Sequence, residues 1–330
     1  LTGRETQELR RWLLGREDSR SGRGRKRGLQ SRLDDLALEH PDIDKACVQA
    51  VFAANALPAP FWSKRLAAGE PAGAVEAFLL AVGKQVYARA PNPQDPYTIE
   101  CEVRPATDEL TQAATDLREA LVKLEKPLKR LEQLLSEQLT QNPEKFDTEA
   151  RRRLEGLIRM MTLRALMPIQ AWVGMCSSIL TDEAPEGQVE WLEVIRIDGK
   201  DRDLGYFRHF IDPTEPLMGA LRFQSHGLLV TSATLGDCTG DEQADWDFAE
   251  RRTGVRHLPY DPHTSRHPSP FDYPAQARVI VVNDLDRRDT DQLASAYRAL
   301  MLASSGGALG LFTSIARMRQ VHKKIADPLE

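Results

Sequence analysis

The chain has 330 residues, enough for about two domains. Apolar residues make up 41%, so a substantial core is expected, and the net charge of −5 supplies no global field to draw in a polyanion. Any nucleic-acid site must then be a local patch. No run of about 18 apolar residues reads as a membrane span, and no signal peptide opens the chain.

Residues 1–90 read as short helices. Glu5 to Leu14 is one, stopped by Gly15. A basic stretch follows, Arg20, Arg23, Arg25, Lys26 and Arg27, with no acid among them. It reads either as a solvated linker or as a phosphate-contacting strip. Leu29, Leu33, Leu36 and Ala37 mark a second helix, the apolar series from Ile43 to Ala54 a third, and Val75 to Val86 another. Tyr97 to Val103 is a candidate strand among prolines.

Thr107 opens a long helix with Asp108 and Glu109 in its first turn. Ala114, Leu117, Leu121, Leu124, Leu128, Leu131 and Leu135 recur at alternating spacings of three and four, a coiled-coil seam that Pro127 interrupts. A second seam runs Leu154, Ile158, Met161, Ala165, Ile169, Trp172 and Cys176. Two such segments joined by a short connection predict an antiparallel helical hairpin over about 107–181.

From Gln188 the texture turns to β. Val189 to Ile195 and Leu204 to Ile211 flank Asp198-Gly199 and predict a β-hairpin. A short helix from Pro213 to Leu221 follows. Gly227–Val230, Ala277–Val282 and Ala308–Phe312 read as buried strands, alternating with helices ended by Gly254, over Asp289–Leu302, and over Ser314–Ile325. That alternation predicts a parallel α/β sheet beside a large helical block.

Two strand ends carry small hydroxyl residues: Thr231-Ser232-Ala233-Thr234, and Thr313-Ser314 after Leu311-Phe312. Ligands of α/β sheets bind at such carboxyl ends, although each is also an ordinary turn whose hydroxyls bond locally. No G-x-x-x-x-G-K-[ST] loop occurs, and Gly306-Gly307 reads as a turn. His257, His263 and His267 lie in a Pro- and Asp-rich loop without metal-ligand spacing. Cys47, Cys101, Cys176 and Cys238 are scattered, which gives no metal or iron–sulfur cluster and fits inert thiols in a reducing cytoplasm.

The ordered set T-S-A-T-L (Thr231–Leu235), S-P-F (Ser269–Phe271) and L-F-T-S (Leu311–Ser314), with I-D-P at Ile211–Pro213, resembles the DinG/XPD-like branch of superfamily 2 DNA helicases. The resemblance covers about 188–330 well. Over 1–187 it is looser, resting on a helical insertion in the right place. It implies partial RecA-like motor domains with an arch-like insertion: 1–187 helical, 188–268 the end of the first motor domain, 269–330 the start of the second. It implies that Thr231, Ser232, Ala233 and Thr234 couple nucleotide state to the DNA path, and that Thr313, Ser314 and Arg317 contact single-stranded or forked DNA.

On the same resemblance, ATP and Mg2+ serve the intact protein through motifs upstream of Leu1, and the chain is an excerpt that alone hydrolyses nothing. An iron–sulfur cluster in the family's usual upstream position is neither implied nor excluded. The alternative expectations are a non-catalytic helical scaffold with the 107–181 hairpin as its binding face, and an unrelated α/β enzyme with both strands in one sheet.

Overall fold

A computed structural model describes residues 1–15, 28–36, 40–94, 96–141, 144, 146–222, 225–237, 239–305 and 307–326. The basic stretch 20–27, Ala37, Cys238 and Gly306 lie outside the described residues. The chain divides into two compact units, Leu1–Pro262 and His263–Glu330. The structure is mostly helical, with a small antiparallel sheet of three strands.

The first unit begins with α1 (Gly3–Leu14), closed at its start by a reciprocal cap between Thr2 and Glu5 and at its end by Gly15. Then come α2 (Leu29–Asp34), α3 (Pro41–Ala53), α4 (Trp62–Ala68) and α5 (Ala74–Arg89). β1 (Ile99–Glu102) precedes α6 (Asp108–Gln141). α6 runs unbroken through Pro127, which forfeits the bond its amide would have given the Lys123 carbonyl. α7 (Thr148–Met161) continues through a π-helical turn, Thr162–Leu166, into α8 (Met167–Thr181). α7, the π turn and α8 all touch α6, so the return run lies antiparallel along it and the hairpin forms as the seams require. Both seams are buried in one core with side chains of α1, α3 and α5.

The run Thr148–Thr181 is long and apolar enough to span a bilayer. Its apolar stripe of Leu154, Met161, Ala165, Ile169 and Cys176 is already buried in that core, which accounts for the composition.

β2 (Gln188–Ile197) and β3 (Lys200–Phe210) pair through a two-residue turn, Asp198 and Gly199, both with positive φ. β1 adds to the free edge of β2, with Cys101 opposite Leu192. Leu192, Val194 and Tyr206 enter the helical core. The β-hairpin shares this core with the helices. Cross-strand pairing with β1 and burial on α5 hold it there.

α9 (Thr214–Arg222) and α10 (Glu242–Thr253) complete the unit. The second unit holds a four-residue turn of helix, α11 (Tyr273–Gln276), then α12 (Thr290–Ala303) and α13 (Ile315–Ile325). Ala294, Val321 and Ile325 form its small core, with Leu293, Tyr297, Met301 and Phe312 against it.

The expected parallel sheet is not found among the described residues. Gly227–Val230, Ala277–Val282 and Ala308–Phe312 belong to no strand. Their side chains stand in solvent: Leu229 is 86% exposed, Val279 93% and Leu309 86%. A strand exists only as a rung of a ladder, and each of these runs lacks a hydrogen-bonded neighbour here. Their composition is that of buried strands; their surroundings are not.

Candidate functional site

Thr231, Ser232, Ala233 and Thr234 are all exposed and form a turn in the first unit. Ser232 Oγ accepts from the Thr234 amide at 3.1 Å and lies 3.4 Å from Thr234 Oγ1. The hydroxyls are thus engaged with each other, the local pattern small polar residues give a turn.

Thr313, Ser314 and Arg317 meet in the second unit at the start of α13. Ser314 is the N-cap, its Oγ accepting from the Arg317 amide at 3.4 Å. Tyr297 fixes the approach: its hydroxyl donates to the Leu311 carbonyl at 2.9 Å, and its ring stacks on Phe312 at 4.6 Å. Thr313 and Arg317 are exposed, and the Arg317 guanidinium has no ion-pair partner among the described residues. α13 carries Arg317, Arg319, Lys323 and Lys324 and no acid; Lys324 pairs with Asp291 of α12. Arg319 and Lys323, one turn apart, project away from buried Val321 and Ile325. Cations near a helix N-terminus oppose the macrodipole, at about 0.3–1 kcal/mol. They add to the field that draws an anion to the first-turn amides.

Sequence reasoning missed a groove in the first unit. Ile211, Asp212, Pro213 and Thr214 form one wall, and Phe248, Arg251, Arg252 and Arg256 the other, around a cavity of about 540 Å³. Asp212 Oδ1 accepts from the Thr214 amide (2.9 Å) and hydroxyl (2.6 Å), and His257 Nε2 sits 3.1 Å from Oδ2. The bonds from Thr214, then that from His257, hold the Asp212 carboxyl below the usual carboxylate range. His257 therefore has an acid partner rather than a metal set, and no His/Cys/Asp/Glu group able to hold a metal occurs among the described residues. Phe248 and Arg252, four residues apart on α10, were the one local signal; Arg256 reaches the groove only because Gly254 turns the chain out of the helix.

Gly254 holds the two walls together. It ends α10 with φ of +78°, and a Cβ built there would lie 2.6 Å from the Thr214 Cβ. Gly254→Ala should cost about 1–3 kcal/mol, from left-handed backbone and the clash combined. Thermal unfolding of the variant checks this, and a loss below about 0.5 kcal/mol would contradict the close approach.

Burial pushes the Cys47 and Cys176 thiols up to about 12, and Cys101 is raised as well, so burial disfavours the thiolate at all three. The leucine seam expected as a scaffold's binding face is buried in the core. Comparison with protein families, with curated proteins and with solved structures gives no match.

Proposed function

We propose that the chain is part of an ATP-dependent DNA helicase of the DinG/XPD-like kind, translocating on single-stranded DNA. The observation that carries this reading is the ordered set of motifs from Thr231 to Ser314. Its two hydroxyl motifs fall in different compact units, as two motor lobes require. The division at Pro262 and His263 lies near the expected 268/269 boundary. The exposed apolar runs at 227–230, 277–282 and 308–312 add support, because they have the composition of core strands of RecA-like sheets that other segments would complete.

In this reading Ser232 and Thr234 link nucleotide state to the strand path. The start of α13, with Thr313, Ser314 and Arg317, holds a phosphate of the strand. The sequence holds no phosphate loop, so the residues that cradle ATP and Mg2+ belong elsewhere and no hydrolytic step is assigned to this chain. The helical hairpin acts as an arch-like insertion.

Fluorescence anisotropy with a labelled oligothymidine tests the reading. The 330-residue chain should bind with an affinity that falls steeply with salt. Arg317→Gln should weaken binding about fivefold and lower the salt slope by roughly one. Absence of strand binding, or binding indifferent to Arg317, overturns the assignment of that site. DNA-stimulated ATP hydrolysis by this chain alone would overturn the division of labour.

A further inference from the structure

One wall of the groove between the start of α9 and the end of α10 holds the I-D-P residues Ile211–Pro213, to which the helicase reading assigns no task, and its arginine wall lies outside the motif set. Three arginines and one carboxylate line the groove. Asp212 is already committed to Thr214 and His257. Arg251 Nε donates to the Asp247 carbonyl at 3.2 Å, which anchors the side chain and leaves its terminal nitrogens free to bond outward. The Arg252 guanidinium lies over the Phe248 ring, 5.2 Å from the centroid, a stacked placement that fixes a flat cation while leaving its N–H edge open. Arg256 has no bonding partner among the described residues. None of the three is neutralised by an ion pair with a described residue.

Three guanidiniums lining one groove without ion pairs to described residues suit a tetrahedral oxyanion, because each fork matches two oxygens of a phosphate. Gly254 locks the arginine wall against Thr214. Phe248 and Ile211 add an apolar side to the groove, and its volume falls in the range of about 300–1,000 Å³ typical of small-ligand sites. We propose that this groove is a phosphate-binding site, with room beside the phosphate for the nucleoside that carries it. The phosphate belongs either to a free nucleotide or to a nucleic-acid strand, and the arginines recognise it in the same way in both. The site does not rest on the helicase reading.

Calorimetric titration of the 330-residue chain at low salt, with inorganic phosphate, AMP and a ten-residue oligothymidine as separate probes, tests it. The triple variant Arg251→Gln/Arg252→Gln/Arg256→Gln should weaken at least one probe tenfold or more. Arg256→Gln alone, at an exposed side chain with no partner to lose, should weaken the same probe about threefold and guards against a folding defect in the triple variant. Sensitivity of the oligothymidine identifies a strand as ligand. Sensitivity confined to phosphate or AMP identifies a free nucleotide, and if the oligothymidine does not bind at all the groove stands while the strand-translocation reading falls. If no probe binds, or all bind the variants as they bind the parent, the site does not exist.

Discussion

Glu190→Ala should destabilise the first unit by about 3–5 kcal/mol, the largest loss expected from any single substitution in the sheet. The Glu190 side chain is only 2% exposed. It accepts from Arg104 Nη1 at 2.9 Å, from Arg208 Nε at 2.6 Å, from Ser178 Oγ at 3.0 Å, and from the Tyr206 hydroxyl. Removing the carboxylate leaves two guanidiniums facing each other, with a buried phenol whose partner is gone. Burial alone would raise the Glu190 carboxyl. The bonds from Tyr206, Arg104 and Arg208 outweigh it and hold the group below its ordinary value. A carboxyl depressed in the folded state contributes stability above its unfolded pKa and loses it as pH falls through the folded one. Urea unfolding should therefore show parent stability dropping below about pH 4, and Glu190→Gln should be weaker at pH 7 with a flatter acid limb. Equal acid slopes in the two proteins would remove Glu190 from the account.

This cluster shows what a sequence yields and what it withholds. Glu190, Leu192 and Val194 alternate along one strand, so the inward direction of Glu190 was legible once the hairpin was placed. Its partners were not: Arg104 and Ser178 lie 86 and 12 residues away in the chain, and only the fold brings them to one carboxylate. The hairpin and the two seams were legible because turn chemistry and heptad spacing are local. The runs at 227–230, 277–282 and 308–312 misled because a strand is defined by its neighbour, and apolar composition says nothing about whether one is present. The turn at 231–234 and the cap at Ser314 followed from short-range hydroxyl chemistry. The arginine groove depended on α9 meeting α10 through Gly254, a long-range contact that no local pattern announced.

Leu128→Ala in the hairpin should cost about 2–5 kcal/mol, and this result separates two roles for the seam. Leu128 is fully buried in a core built by α3, α5, α6 and α8, so truncation removes transfer energy and leaves a cavity that rigid helices close poorly. Val122, six residues earlier on the same helix, is 42% exposed, and Val122→Ala should change stability by less than about 0.5 kcal/mol. Were the seam a docking face for another protein, Leu128 would be solvent-facing in the free chain and its loss would cost little. The measurement is the urea midpoint of each variant against the parent, with oligothymidine binding followed in parallel. A seam that is core lowers the Leu128→Ala midpoint sharply and leaves strand affinity unchanged wherever the chain remains folded, since Arg317 and the arginine groove lie on other elements. A near-neutral Leu128→Ala would reopen the hairpin as an interaction surface and take away the internal support that keeps the β-hairpin, and with it Ile211 and Asp212, in place.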